Sequence, residues 1–226
     1  MGWNRGVAAS LVAIGLLASG PAPAGKPRVE RDPGRGERRC ADITGYLQDE
    51  APAGRAVHAR PDSGSPILGR VAPPDKDPKG AYDVAVGFAI LASRDGWLLI
   101  EGAADDPVLT ERPPRAMYPG RGWIRSQRVA VGLQTRQAFA RPRHSSAMIV
   151  RAVEPGSLDN PLEIAACDGH WVLARWRPSP PSTVRYERAA VISADPLTLE
   201  AWATGICNIQ ETSCDGVSGD RPAPAR

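Results

Sequence analysis

The stretch SRDGWLLI (residues 93–100) carries the strongest local signal for the fold of this chain. Asp95-Gly96 favours a two-residue hairpin turn, because such a turn needs positive φ at its centre. Trp97 then opens an apolar run that is typical of a β-strand. A related stretch, CDGHWVLA, recurs at residues 167–174. Trp97 therefore has two interpretations. Its ring contacts a ligand, or it is a core residue that occurs twice because the domain is duplicated.

The composition favours a turn-rich β architecture. The 226 residues include 23 Pro and 23 Gly, and proline at about twice its average usage disfavours long helices. Short apolar segments alternate with Gly- and Pro-rich turns, as in small β barrels or sandwiches. The formal net charge of +3 is too small to indicate nucleic-acid binding.

The N-terminus has the pattern of a secretory signal peptide. Arg5 precedes an apolar run of about 14 residues, short of the roughly 20 that span a membrane. Ala22-Pro23-Ala24 supplies the small residues of a cleavage site. The alternative is a membrane anchor. We predict a signal peptide at residues 1–24, cleaved after Ala24, and a periplasmic or secreted protein without a membrane span.

The segment that follows, GKPRVERDPGRGERR (25–39), is dominated by charge. Val29 is the only residue in it that could anchor to a core. We predict a charged flexible leader at 25–39, either a solvated linker or an electrostatic tether to an anionic envelope surface. Residues 216–226 are predicted to be a disordered tail.

Similarity within the chain indicates an internal duplication. Shifted by 81 residues, ARPDSGSPILGR (59–70) aligns with ARPRHSSAMIVR (140–151). The Asp-Gly-Trp stretches recur in the same order, and so do the closing tryptophans of GRGWIRS (120–126) and LEAWATG (199–205). We predict two copies of one small β domain. The first occupies residues 40–133, including an N-terminal extension, and the second occupies 134–215.

The order of these anchors resembles the bacterial SH3 (SH3b) family. Members of that family open with an Asn-Val-Arg type strand, continue with Gly-Trp-x-x-Val and close with Gly-Trp-Val. The first copy has HAR (58–60), Gly96-Trp97 and GWI (122–124) at these places. The resemblance implies an all-β chain of two small SH3-like β barrels in tandem, and a binding role.

The second copy is further from the family pattern. It keeps Arg141, Trp171 and Trp202, but it has Phe139-Ala140 at the opening and AWA (201–203) at the close. These departures bear on whether the second copy has a binding surface of its own.

The tryptophans divide into two predicted groups. A domain of about 75 residues has little core, so one large ring carries much of its stability. We therefore expect Trp97 and Trp171 to be core residues. Trp123 and Trp202 end their domains, and we expect them to be partly exposed. With Arg60 and Arg141 they are the candidate ligand-binding residues.

The four cysteines allow three pairings. Cys207 and Cys214 suit a short closed loop, which leaves Cys40 with Cys167, and we favour these two bonds. A zinc site using Cys167 and His170 is the alternative, but it lacks the two close ligand pairs of such sites. Disulfides are the expected chemistry of an exported protein, and we predict no metal site.

The sequence contains no recognised catalytic motif. It has no G-x-S-x-G, H-E-x-x-H or P-loop. Cys167 and His170 are the only close nucleophile–base pair, and as neighbours around one turn they would point apart. The acidic pairs Asp75/Asp77 and Asp105/Asp106 lie in loops expected to be solvated. We predict a protein that is not an enzyme, with no catalytic residue and no cofactor.

Two functions remain open at this point. The tandem domains are either a binding module for a cell-wall peptide (peptidoglycan) or a peptide of an envelope protein, or a structural component of the envelope without a small ligand. Solvent-facing tryptophans beside an arginine would favour binding, and buried tryptophans in both copies would favour the structural role. We lean towards binding.

Overall fold

The computed structural model of this chain consists almost entirely of β-strands. It describes residues 29–30, 36–76, 80, 83–152, 158, 163–176, 184–185, 198–207 and 218–222. In these ranges the only helix is a single turn, Pro107–Thr110. The prediction of an all-β chain is confirmed. The predicted signal peptide lies outside the described residues, and no helix within them is long and apolar enough to cross a membrane.

The described part of the first half of the chain contains nine strands. They are β1 (Arg38–Leu47), β2 (Arg55–His58), β3 (Ile67–Val71), β4 (Asp75–Lys76), β5 (Asp83–Val84), β6 (Val86–Arg94), β7 (Trp97–Ala104), β8 (Gly122–Arg125) and β9 (Val129–Ala130). Seven of them form one sheet in the order β3-β2-β8-β7-β6-β1-β9, and β4 pairs with β5.

The described part of the second half contains eight strands. They are β10 (Gly132–Leu133), β11 (Gln137–Phe139), β12 (Met148–Ala152), β13 (Glu163–Asp168), β14 (Trp171–Trp176), β15 (Val184–Arg185), β16 (Leu199–Ala203) and β17 (Ile206–Cys207). Six form a sheet in the order β13-β14-β16-β11-β12-β15, and β10 pairs with β17.

The two large sheets share a five-strand order. The run β3-β2-β8-β7-β6 of the first half corresponds to β12-β11-β16-β14-β13 of the second, and every neighbouring pair in both runs is antiparallel. The register also agrees. In each half the closing tryptophan has two cross-strand partners, which are the last residue of the opening strand and the second residue after the central tryptophan. For Trp123 these partners are His58 and Leu99. For Trp202 they are Phe139 and Leu173.

The turn after the opening strand is built in the same way in both halves. The Ser65 hydroxyl accepts a hydrogen bond from the Arg60 N–H at 3.2 Å and donates one to the Arg60 carbonyl at 3.0 Å. Ser146 makes the same two bonds to Arg141, both at 3.2 Å. The two serines are also equivalent under the 81-residue shift. A hydroxyl that pairs with turn backbone in this way replaces a strand partner.

The hairpin that contains Trp97 forms as the sequence predicts. Asp95 and Gly96 have φ of 49° and 76°, so both centres of the turn are left-handed. Trp97 pairs with Arg94 across the turn and is 3% exposed. It packs with Ala92 and Trp123 in a small cluster of its own. Its assignment to the core is confirmed, and the equivalent Trp171 is half-buried.

One disulfide and one continuous apolar core join the two halves. The core cluster includes Leu47 and Ile100 of the first half and Ile164 and Trp202 of the second. The predicted Cys40–Cys167 bond is present, with Cα atoms 5.5 Å apart. Cys207 is also disulfide-bonded, and its predicted partner, residue 214, lies outside the described residues.

Strands and hydrogen bonds cross several of the predicted segment boundaries. Strand β1 begins at Arg38, inside the predicted leader. Gly132 and Leu133, assigned above to the first domain, pair with β17 of the second half. Within the predicted disordered tail, residues 218–222 are in place. The Asp220 carboxylate accepts hydrogen bonds from the Arg136 N–H at 2.7 Å and the Thr135 hydroxyl at 3.1 Å. These partners are distant in sequence, so local composition does not reveal them.

An ion pair also orders the loop between β7 and β8. Asp105, expected above to be solvated, is 7% exposed. Its carboxylate receives hydrogen bonds from the Arg115 Nε at 2.9 Å, Nη2 at 2.6 Å and backbone N–H at 2.8 Å. Hydrogen bonding to Arg115 holds the pKa of Asp105 below its ordinary value of 3.8, against the opposing effect of burial.

Candidate functional site

The four predicted ligand-binding residues divide by exposure. Arg60 and Arg141 are exposed, but Trp123 is 6% exposed and Trp202 is fully buried. The expectation that the closing tryptophans are partly exposed is wrong. They end their domains in sequence, but each lies on a strand with neighbours on both sides, because β8 lies between β2 and β7 and β16 lies between β11 and β14.

Trp202 and Arg141 contact the predicted leader. The Trp202 indole N–H donates a hydrogen bond to the Glu30 carbonyl at 2.7 Å. The Glu30 N–H donates to the Ala140 carbonyl at 2.8 Å. The Glu30 carboxylate lies 3.1 Å from the Arg141 Nε. We call Ala140, Arg141 and Trp202 the leader site, since together they hold both backbone groups and the side chain of one leader residue.

Val29 anchors the leader to the same place. It is 7% exposed and belongs to the main apolar core. Burial of a valine contributes about 1.5–3 kcal/mol and each backbone hydrogen bond about 0.5–1.5 kcal/mol. The ion pair contributes about 1 kcal/mol or less, because the Arg141 side chain is 54% exposed. Apolar burial and main-chain pairing therefore hold Val29-Glu30, and the prediction of a flexible leader does not apply to these two residues.

The first half has the same three residue types at the equivalent positions, Ala59, Arg60 and Trp123. We call these three residues the first-half site. No leader residue lies on it in the described ranges. The Ala59 carbonyl accepts no backbone hydrogen bond there. The Trp123 indole N–H likewise has no partner among the described residues, although it is not sealed from solvent.

Exposure differs consistently between the two sites. Ala140 is 5% exposed, whereas Ala59 is exposed. Ile149 is 1% exposed, and its equivalent Leu68 is 43% exposed. Leu68 and its neighbour Ile67, at 57%, are the only exposed large apolar residues in the described part of the chain. The surface that is covered in the second half is therefore uncovered in the first.

Ile67 lies on the face of the sheet that carries Trp123. It pairs with His58, which pairs with Trp123, and residues directly opposite each other share a face. The Leu68 Cδ1 is 3.5 Å from the point where a Cβ of Gly122 would stand, and Gly122 faces the other side because it precedes Trp123 in the strand.

A separate cavity of about 260 Å³ lies between the halves. Its lining includes Arg38, Arg175 and Glu200. The Arg175 Nε donates to the Glu200 carboxylate at 2.6 Å, and Arg175 also pairs with Glu163. Burial acts to lower the pKa of Arg175, but the hydrogen bonds and charges of the two glutamates outweigh it and raise that pKa. Arg38 pairs with Asp168 at 2.7 Å, so carboxylates balance both named arginines of this cavity, which suits a structural role.

A cation–π contact covers the aromatic cluster of the first half. The Arg125 guanidinium lies 4.2 Å from the centre of the Trp97 ring, and His58 meets the ring edge at 5.2 Å. Trp97 therefore presents no free face for a ligand. No group of three or more potential metal ligands occurs within the described ranges.

Sequence reasoning identified Arg141 and Trp202 but missed Glu30 and Ala140. The available signal was Val29, the single apolar residue in a charged segment, which indicates an anchor point. The burial of Trp202 could not be anticipated, since the leader that covers it lies 172 residues away in sequence. No protein-family model, curated protein or solved structure matches this chain.

Proposed function

We propose that this chain is an exported, non-enzymatic binding protein of the bacterial envelope, in which two SH3-like β barrels in tandem bind extended peptides. One observation carries the proposal: the predicted ligand residues Trp202 and Arg141 hold two consecutive residues of polypeptide, the chain's own Val29-Glu30. The segment is bound through its backbone as well as its side chain, as peptide-binding surfaces do.

The tandem SH3-like arrangement is supported by the shared strand order and register of the two sheets. Export is supported by the Cys40–Cys167 disulfide, since such bonds persist in oxidising compartments. The ligand is a peptide of the envelope, either from an envelope protein or from the cell wall. The protein-derived peptide is favoured because the bound leader is itself ordinary polypeptide. The function requires no cofactor, no metal and no nucleic acid.

A structural role in the envelope is the second candidate. It is favoured by the burial of Trp97, Trp123 and Trp202, the central tryptophan of the first half and the closing tryptophans of both halves. The disulfide and the shared core between the halves also suit a brace. The two candidates differ in one respect, which is whether the leader site binds a peptide that is supplied in solution.

The experiment compares the chain from Gly25 with its Val29→Asp variant, using a labelled synthetic peptide of sequence KPRVERDPG (residues 26–34). In the variant the leader loses its apolar anchor, so the leader site becomes available. We expect the variant to bind one more equivalent of peptide than the unmodified chain, and Trp202→Phe in the variant background to remove that equivalent. Equal stoichiometry in the two chains would exclude the leader site as a peptide site, and no binding to either chain would overturn the peptide-binding function and leave the structural role.

Sedimentation with purified peptidoglycan decides the source of the peptide. Attraction between charges is strongest at low salt, so binding is assayed there. A chain that remains in the supernatant excludes the cell wall as the ligand and leaves an envelope protein.

A further inference from the structure

We infer that the first-half site is a second peptide site, specific for an extended segment of another protein in which an apolar residue precedes a glutamate. This inference rests on the proposed function and names the ligand of the site that the leader does not occupy. The leader serves as the pattern, because Val29-Glu30 shows which groups the shared residue types recognise.

Each recognition group of the leader site has an equivalent in the first half. The Ala140 carbonyl accepts from the Glu30 N–H, and the Ala59 carbonyl occupies the equivalent position. The Trp202 indole N–H donates to the Glu30 carbonyl, and Trp123 carries the equivalent N–H in the same register of the sheet.

The side-chain contacts are equivalent as well. Arg141 pairs with the Glu30 carboxylate, and Arg60 lies exposed at the same point of an identically hydrogen-bonded turn. Exposed apolar surface for a side chain that precedes the glutamate is present at Ile67, which is 57% exposed and lies on the face of the sheet that carries Trp123. Exposed apolar surface beside unpaired backbone and indole groups is typical of a binding site.

The number of sites identifies the source of the occupant. Each chain has two sites but one Val29-Glu30 segment, and the second half already holds that segment. Exchange of leaders between copies would not change this ratio. The leader therefore cannot fill both sites, and we assign the first-half site to a segment of a different protein.

The test is a titration of the unmodified chain from Gly25 with labelled KPRVERDPG, followed by fluorescence anisotropy. We expect one equivalent to bind, because the tethered leader has a high effective concentration at its own site. Trp123→Phe keeps the ring and removes the indole N–H, and Arg60→Ala removes the charge. Trp123→Phe should weaken binding about tenfold, which corresponds to the loss of one net hydrogen bond. Arg60→Ala should weaken it about fivefold or less, because an exposed ion pair contributes less.

A matched control is available in the second half. Arg143→Ala removes an exposed arginine two residues after Arg141, and it should not alter the affinity. The peptide KPRVQRDPG, in which the glutamate becomes glutamine, should bind more weakly than the parent peptide.

Three results would overturn the inference. They are no binding up to about 1 mM peptide, binding that is equally strong in Trp123→Phe and Arg60→Ala, or concentration-dependent self-association of the chain that Trp123→Phe abolishes. The last result would assign the site to a second copy. The Val29→Asp comparison described above is independent of these results, so either hypothesis can fail alone.

Discussion

At the scale of the residue, the tryptophans show that one side chain can be a packing element and a recognition element together. Trp202 is fully buried, yet its indole N–H holds the leader carbonyl. A large ring can bury its apolar body and direct its single donor outwards. Burial of the closing tryptophans therefore argues against ring stacking with a ligand, but it leaves hydrogen bonding available.

Trp97 should be the most costly tryptophan of the first half to remove. It is 3% exposed and is contacted by Arg125 and His58. We expect Trp97→Ala to lower the free energy of unfolding by about 3–5 kcal/mol, measured by urea denaturation. Trp97→Phe, which keeps an aromatic ring, should cost clearly less. A Trp97→Ala protein with an unchanged urea midpoint would show that the ring is not a core element.

Asp105 should make stability depend on pH. Its pKa is lowered in the folded state, so its contribution is present above the unfolded pKa of about 3.9 and is lost as pH falls through the folded value. We expect Asp105→Asn to lower the free energy of unfolding by about 1–3 kcal/mol at pH 7 and by much less at pH 2–3. Urea denaturation at both pH values measures this difference. The same loss at both values would exclude the charge as its cause.

At the scale of the element, turns carry the local information of this fold. The Asp95-Gly96 hairpin and the serine-bonded turns after β2 and β11 each form from residues a few positions apart. The C-terminal segment (218–222) instead depends on residues far apart in sequence, because its backbone packs closely against the backbone of the second half. The Gly219 N–H donates to the Gln134 carbonyl at 2.8 Å, beside Gly205.

Gly205 should be intolerant of a side chain. Its φ is +80°, and a Cβ there would lie 2.3 Å from the Gly219 N and 2.7 Å from the Gln134 carbonyl oxygen. We expect Gly205→Ala to destabilise the protein and to speed hydrogen exchange at the Gly219 N–H. Gly102→Ala is the matched control, since its φ is +70° but nothing lies within 4 Å. It should show only the cost of positive φ, about 1–2 kcal/mol.

If Gly205→Ala and Gly102→Ala lose the same stability, and exchange at Gly219 is unchanged, the segment at 218–222 does not depend on this close approach.

At the scale of the whole molecule, the two halves are packed and bonded to each other. They share an apolar core, and the Cys40–Cys167 bond closes a loop with a sequence separation of 127 residues. Ser93 bridges the halves at the same place, since its hydroxyl donates to the Cys167 carbonyl at 3.1 Å and accepts from the Cys167 N–H at 2.9 Å.

Removing the disulfide should destabilise the whole chain. We expect the Cys40→Ser, Cys167→Ser double variant to lose about 2–5 kcal/mol, since the unfolded chain gains freedom. Calorimetry should show one transition at a lower temperature. Ser93→Ala, which removes two hydrogen bonds at the same junction and keeps the disulfide, should lose less. Two separate transitions in the double variant would show that the halves unfold independently.

The sequence by itself determined the features that depend on neighbouring residues. Turn preferences placed the Asp95-Gly96 hairpin, and proline and glycine usage indicated an all-β chain. Cysteine spacing favoured Cys40–Cys167 among three pairings, because the other two cysteines suit a short loop. Only the tertiary structure decided the exposure of Trp123 and Trp202, and only it brought Val29-Glu30 onto Ala140, Arg141 and Trp202. The physical reason is that turn geometry is a local property of the backbone, whereas burial depends on which distant segment covers a surface.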